Sequence, residues 1–311
     1  MTETRDVIII GAGPAGLAAA VYTGRALMKT TVLERLVVGG QIVEAYDVDN
    51  YPGFPDGVTG ADLVDRMVAH ATKFDVEIVT KGAQDVLADG ARKRVLTDDG
   101  EYVAPIVIVA SGAYHRKLGV PGEKELSGKG VSYCATCDGP FFRGKRLLVV
   151  GGGDAALTES VFLTRFASEV RLVHRRAEFR GRAAHVRDAR ENAKIQFVLD
   201  TVVTEIQGRG RVEAAVLCNV KTGQASRAEC DGVFVFVGHD PNTGFLKHIL
   251  PDWAGGLIPV DLNMETDVKG LYVVGDVRKG SYRQVGTAVG EGITAAMHAE
   301  LRVKDLLGRG A

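Results

Sequence analysis

One pattern limits this chain more than any other: a short apolar run, a glycine-rich loop and a helical segment, met twice. Val7–Ile10 is expected as a buried strand, Gly11-Ala12-Gly13-Pro14-Ala15-Gly16 as the loop, Pro14–Leu27 as a helix and Thr31–Leu33 as the next strand. In such a loop Gly11 permits a tight turn, Gly13 lets a pyrophosphate approach the backbone, and Gly16 lets helix and strand pack closely. The free N–H groups at the helix start then face the phosphates. Pro14 falls in the first turn, where its missing N–H costs little. Downstream, Arg146–Val150, the loop Gly151-Gly152-Gly153-Asp154-Ala155-Ala156, the helix Asp154–Phe166 and the strand Val170–Val173 repeat the plan. Ala156 takes the place of the third glycine. The copies are too far apart to form one mononucleotide fold. The expected fold class is α/β, with two Rossmann-like dinucleotide-binding domains.

The two copies differ where each should meet a ribose. The first has Glu34 at the end of its second strand, where a carboxylate accepts hydrogen bonds from adenosine ribose hydroxyls; a solvated loop charge is the alternative. The second has His174-Arg175-Arg176, with Arg180 a turn further on. An acid there would repel a 2′-phosphate, whereas arginines bind it with charge-assisted, often bidentate, hydrogen bonds. NADPH is therefore expected over NADH, against the alternative of a generic basic surface. Nucleic acid is not an expected partner. The basic cluster lacks interleaved aromatics, and the formal net charge of -1 gives no general attraction to polyanions.

At 311 residues the chain has room for two domains. Ile106–Ala110 reads as a further strand leading into Ser111-Gly112, and the stretch from Ile195 to Val237 as β-rich, with a hairpin turn at Thr222-Gly223. Leu271–Val274 reads as a last strand ending in Gly275-Asp276, and a long helix is expected from about Thr287 to Leu307. The segment from Met1 to Asp6 lacks the basic start and cleavage pattern of a signal peptide. No apolar stretch reaches the ~18 residues of a membrane span. A cytoplasmic protein with no membrane association is expected.

Cys134-Ala135-Thr136-Cys137 is the remaining signal. Two cysteines at this spacing can close a small disulfide, and one thiol of such a pair often ionises readily. A structural metal would need two more ligands, and Cys218 and Cys230 lack the spacing. Those two are expected as small apolar residues or incidental thiols. Asp138 could protonate a leaving thiolate; a turn-forming Asp before Gly139-Pro140 is the alternative.

The run from Cys134 to Gly139 resembles the redox motif of low-molecular-weight bacterial thioredoxin reductases, and the likeness extends over nearly the whole chain. Gly39-Gly40-Gln41 and Asn50-Tyr51-Pro52-Gly53 resemble that family's isoalloxazine-side segments. Ser111-Gly112-Ala113 is similar to its A-T-G-A strand end, with serine for threonine. His174-Arg175-Arg176 and Arg180 match its 2′-phosphate pattern, and Gly275-Asp276 and Tyr282-Arg283-Gln284 its C-terminal flavin contacts. Two departures stand out: Thr158-Glu159 where the family often has paired acids, and Ala177 where it often has Asp.

The resemblance implies FAD held by Gly11, Gly13, Pro14, Ala15, Gly16, Glu34, Gly40, Gln41, Asn50, Ser111, Gly112, Gly275, Asp276, Arg283, Gln284 and Val285. It implies NADPH held by the loop from Gly151 to Ala156 with His174, Arg175, Arg176 and Arg180. It also implies a discontinuous FAD-binding domain, 1–117 and 245–311, with an NADPH-binding domain, 118–244, inserted in it and carrying the cysteines. Pro121-Gly122 and Gly238–Gly244 are the hinge candidates. Cys137 is implied to face the flavin, Cys134 to attack the disulfide of thioredoxin or a related small redox protein, and Asp138 to serve as acid. A homodimer and a rotation between the domains belong to the same picture. A ferredoxin-NADP reductase would lack the cysteine pair, and a ferredoxin- or oxygen-linked disulfide flavoenzyme would lack the arginines. A peroxiredoxin-reducing subunit would carry extra N-terminal redox domains, for which a first strand near residue 6 leaves no room. A nucleotide-binding protein without turnover is the remaining alternative.

Overall fold

The structure, a computed structural model, describes residues 2–45 and 47–307, the side chains of 44 and 304–307 excepted. The chain divides into two compact units. One holds the chain up to Tyr114 together with the chain from Asp240 on, and the other is His115–His239. The crossings fall in two short strands, Ala113–His115 and His239–Pro241. The second lies within the expected hinge Gly238–Gly244. Pro121-Gly122 is not a crossing. Ile206 N–H donates to Pro121 O at 2.9 Å, and a Cβ on Gly122 would fall 1.8 Å from Ile206 O, so this pair is packed inside the second unit.

In the first unit, Val7–Ile10 pairs in parallel with Thr30–Glu34 on one side and Ile106–Val109 on the other. Glu77–Thr80 and Leu271–Val273 complete a five-stranded sheet. Val7–Ile10 and Ile106–Val109, at its centre, are apolar at every position because both faces are covered. Val7, Ile9, Ile106 and Ile108 pack under three helices, Pro14–Arg25, Gly60–Thr72 and Val285–Leu307. The alternate residues Ile8, Ile10, Val107 and Val109 pack against Val86, Val95 and Tyr102 of a second sheet. That sheet runs Thr2–Thr4, Gly100–Ala104, Arg92–Thr97, Asp85–Asp89.

The second unit repeats the plan. Its parallel order is Val131–Ser132, Gly232–Phe236, Arg146–Gly151, Glu169–Val173, Ile195–Val198. Helices Asp154–Leu163 and Ala183–Glu191 cover one face. The antiparallel strands Thr201–Gln207, Ala214–Asn219 and Ala225–Glu229 cover the other. Gly223 forms the expected hairpin turn with a φ of +72°.

The elements expected from the sequence are present, with ends that differ by a few residues, while the helix Gly60–Thr72 and the strands from Glu77 to Ala104 were not among them. The first helix stops at Arg25 rather than Leu27, because Leu27 enters the left-handed region at φ +57°. The helix from Asp154 ends at Leu163, short of Phe166, and the last helix starts at Val285, ahead of Thr287.

Two packing details of the first unit generate tests. The first and last helices meet so closely that a Cβ on Gly292 would lie 2.1 Å from Ala15 O. Alanine is the better helix former by about 1 kcal/mol, but a clash with rigid backbone costs ~1–3 kcal/mol. Gly292→Ala should therefore lower Tm, by ~2–4 °C for each kcal/mol lost; an unchanged or higher Tm in a thermal melt would contradict the close approach. Lys93 is 3% exposed, and its ammonium donates to Pro105 O at 2.7 Å and to Lys269 O. Burial lowers its pKa to about 8, against the opposing pull of Glu265. The unfolded chain, with an ordinary lysine near 10.4, binds more protons between these values, so stability rises with pH through that window. Denaturant unfolding at pH 7.5 and pH 10 should show the wild type gaining on Lys93→Met; a pH-independent difference would contradict this.

Candidate functional site

All five strands of the first unit's parallel sheet end at one edge. The loops leaving it carry Gly11 to Gly16, Glu34, Ser111-Gly112 and Gly275-Asp276. Gly11 turns with φ +105°, and a Cβ there would fall 2.3 Å from Ala110 O, so only glycine fits. A Cβ on Gly13, by contrast, would meet nothing nearer than Gly39 O at 3.9 Å. The first turn of the helix holds no acid. This is open space over free N–H groups, the cradle a pyrophosphate needs.

The flavin-side candidates gather around that cradle. Gly39 N–H donates to Ala12 O at 2.8 Å, which brings Gly40 and Gln41 to the loop. Gln41 Nε2 donates to Ala113 O, and Asn50 Nδ2 to Gln284 Oε1 at 3.3 Å. Ser111 Oγ donates to Asn242 O at 2.6 Å, and Asn242 Nδ2 donates back to Ser111 O at 3.0 Å. Val285 opens the last helix. Just before it, Arg283 has a φ of +53° and a buried Nε with no hydrogen-bond partner among the described residues. Burial raises the Asp276 carboxyl, with Arg283 acting in the opposite sense.

Glu34 has work beyond the expected ribose contact. Its Oε2 accepts Ala12 N–H at 2.9 Å and its Oε1 accepts Leu36 N–H at 2.8 Å. The backbone thus aims the carboxylate, and each oxygen keeps a lone pair for a ribose hydroxyl. Sequence reasoning missed Asn242 and Glu291. Glu291 accepts Gly275 N–H at 2.8 Å and Arg278 Nη2 at 2.6 Å, so it sets the turn that presents Asp276. Its only signal in the sequence is a lone acid among the small residues of an otherwise apolar helix face.

In the second unit the same edge carries the second glycine loop, the arginine segment and the cysteine pair. A Cβ on Gly153 would meet nothing within 4 Å, a second open cradle. Ala156, in the third glycine position, is fully buried. Ala155 is exposed beside it. His174 plays a different part from the arginines that follow it. Its ring lies where a Cβ on Gly152 would be, 2.1 Å away. It stacks on Phe179, and its Nε2–H donates to Glu178 O at 3.1 Å. Burial lowers its pKa, helped by the nearby arginines and opposed by the Glu178 carbonyl. It supports the loop as a neutral ring. Arg175, Arg176 and Arg180 are exposed, and none has an acidic partner among the described residues. Asp154 instead faces the arginine loop, its Oδ1 accepting Arg182 N–H at 2.7 Å.

The redox turn leaves the edge strand Val131–Ser132, which pairs in parallel with Gly232–Phe236. Cys134 and Cys137 form a disulfide with Cα atoms 5.3 Å apart. Both are half-buried at the short helix Ala135–Asp138. Cys137 N–H points at Cys134 Sγ at 3.1 Å, a contact that favours negative charge on that sulfur. Cys134 N–H donates to Ser132 Oγ at 3.1 Å, and Asp138 N–H to Cys134 O at 3.1 Å, so the turn is held on both sides. Asp138 is half-buried, directly after Cys137. Thr158 Oγ1 donates to Asp154 O at 3.0 Å within its own helix, and burial raises the carboxyl of its neighbour Glu159.

Cys230 is buried, and its thiol is pushed up to about 12 by that burial; it is inert packing. Cys218 is a half-buried free thiol on the strand Ala214–Asn219. Among the described residues no group of three potential ligands could hold a metal ion, and no helix is long and apolar enough to cross a membrane.

The geometry agrees with what the chain is similar to. The family model of pyridine nucleotide-disulphide oxidoreductases matches residues 5–292. The thioredoxin reductase of Peptoclostridium litorale is 46% identical, over 98% of this chain and 99% of that one. The thioredoxin reductase of Bacillus subtilis (strain 168) is 45% identical, over 97% and 95%. The crystal structure of thioredoxin reductase from Streptococcus pyogenes MGAS5005 superposes with a TM-score of 0.91 at 42% identity, covering 97% of this chain and 99% of that one. With an open glycine loop on each sheet edge, a disulfide on the second edge, and relatives matched over nearly their whole length, the chain belongs to the pyridine nucleotide-disulphide oxidoreductase family, within its bacterial-type thioredoxin reductases.

Proposed function

We propose that this chain is a cytoplasmic NADPH-dependent thioredoxin-disulfide reductase that uses FAD and the Cys134–Cys137 pair. The observation that carries the reading is the shared edge of the second unit. There an open phosphate cradle, three arginines without acidic partners and a closed cysteine pair all leave the carboxyl ends of one parallel sheet. A binding protein without turnover has no use for the third of these.

FAD, when bound, supplies the two-electron link between nicotinamide and disulfide. Gly11, Gly13, Gly16 and the helix opened by Pro14 would hold its pyrophosphate, and Glu34 its ribose. Gly40, Gln41, Asn50, Ser111, Gly112, Asp276, Arg283, Gln284 and Val285 would line the rest. Gly153 with the start of the Asp154–Leu163 helix would hold the NADPH pyrophosphate, and Arg175, Arg176 and Arg180 its 2′-phosphate.

Reduction of the Cys134–Cys137 bond leaves two thiols. Cys134, whose sulfur the Cys137 N–H stabilises as thiolate, attacks one sulfur of the thioredoxin disulfide. A mixed disulfide forms, and the departing thiolate takes a proton, for which Asp138 is the donor at hand. Cys137 then attacks Cys134 Sγ, releases the second thioredoxin thiol and restores the starting disulfide. The nicotinamide and the Cys134–Cys137 disulfide belong to the same unit and would both have to meet one flavin, while Cys134 must also be open to a protein, so we infer that the inserted unit rotates about its two crossings. Exposed Tyr22, Met297 and Leu301 on the first and last helices support a homodimer joined through the first unit.

Three outcomes check the proposal. The purified protein should be yellow, bleach with NADPH without oxygen, and drive thioredoxin-dependent disulfide reduction that Cys134→Ser abolishes. Bleaching without thioredoxin turnover would point to another acceptor. Arg176→Ala or Arg180→Ala should cut the ratio of kcat/KM for NADPH over NADH by about tenfold or more, from the ~1.5–3 kcal/mol of a hydrogen bond to a charged group; equal kcat/KM in the wild type would refute the preference. An engineered cross-link that locks the two units should stop turnover, and full activity of the locked enzyme would sink the rotation.

A further inference from the structure

Asp154 is out of place at first sight. It opens the Asp154–Leu163 helix directly after the phosphate cradle, where a carboxylate would oppose the anion the cradle is built to take. Its side chain is engaged elsewhere. Oδ1 accepts Arg182 N–H at 2.7 Å and lies 2.8 Å from His185 Nδ1, while Oδ2 is 3.8 Å from Arg182 Nε. These contacts, the Arg182 N–H foremost and His185 next, hold the carboxyl below its ordinary range.

The segment that Asp154 grips is the one that carries Arg180. That loop touches the cradle at a second point, where Arg180 N–H donates to Gly152 O at 2.9 Å. Between the two anchors lies Gly181. A Cβ there would fall 2.4 Å from Leu157 Cδ1 and 3.1 Å from Asp154 Oδ1, so the loop lies flat on the first turn of the helix. Two hydrogen bonds, one on each side of Gly181, therefore fix the backbone from which the Arg180 side chain extends.

We propose that Asp154 is a positioning residue for nucleotide discrimination: by accepting Arg182 N–H and pairing with His185, it holds the arginine loop ready for a 2′-phosphate. This rests on the NADPH reading given above. A loop released at one anchor must be ordered again when the phosphate binds. Ordering one residue costs about a factor of ten in an equilibrium, and only ligands that use the loop bear that cost.

The test is calorimetric binding of adenosine 2′,5′-bisphosphate and adenosine 5′-monophosphate to the FAD-loaded protein. The wild type should prefer the bisphosphate. Asp154→Ala should lose about tenfold of that preference, and Asp154→Asn should keep it, because the amide oxygen still accepts Arg182 N–H. A backbone pair of variants asks the same question without touching Asp154. Arg182 has a φ of -59°, which proline adopts. Arg182→Pro should lose the preference along with the N–H, and Arg182→Ala, which keeps the N–H, should retain it. If Asp154→Ala does not fold, the Arg182 pair decides. Undiminished preference in the folded Asp154→Ala protein or in Arg182→Pro overturns the positioning role alone. No preference in the wild type overturns the NADPH reading, and this inference with it.

Discussion

In-register parallel pairing is the constraint on which the chemistry of this chain depends. Val150 pairs with Val173 and with Val235, and Ser132 with Phe234, so these strands all end at the same edge. Parallel strands covered on both faces are mostly apolar and leave little room for reactive groups. The loops at the carboxyl edge carry them, and there the second unit sets its cradle, its arginines and its cysteine pair. The first unit obeys the same rule with Gly11, Glu34, Ser111 and Gly275.

One plan used twice gives two sites of opposite character. In the first, Glu34 is held by Ala12 N–H and Leu36 N–H, and its negative charge suits ribose hydroxyls. In the second, three exposed arginines occupy the corresponding edge, and Asp154, at the start of the adjoining helix, is turned onto backbone and His185. Hydrogen bonds from the backbone decide in both cases where the carboxylate points. The difference between the sites therefore lies in a few side chains at strand ends, while the sheets beneath them are alike.

Much of this was legible in the sequence. The runs Val7–Ile10 and Arg146–Val150 with their glycine loops fixed the class of fold, because strand, turn and helix signals agreed at each copy. The cysteine pair was legible because its spacing alone allows a local disulfide. What the sequence hid were contacts between distant positions. Asn242 on Ser111, Glu291 under Gly275, and Asp154 on Arg182 each join residues far apart in the chain. Adjacency in the sequence groups His174 with its arginines, yet directly after the strand Glu169–Val173 it turns inward beneath Gly152 while Arg175 and Arg176 are exposed. Pro121-Gly122 had the composition of a hinge but is held by Ile206, and composition does not reveal what a loop packs against.

The central claim is that electrons from NADPH reach the Cys134–Cys137 disulfide. The most direct measurement is to reduce the FAD-loaded protein with NADPH without oxygen, alkylate it in its native state, and locate the label by peptide mass spectrometry. The account predicts label gained at Cys134 and Cys137 on addition of NADPH, with buried Cys230 unlabelled before and after. A bleached flavin with the Cys134–Cys137 pair still intact would contradict it.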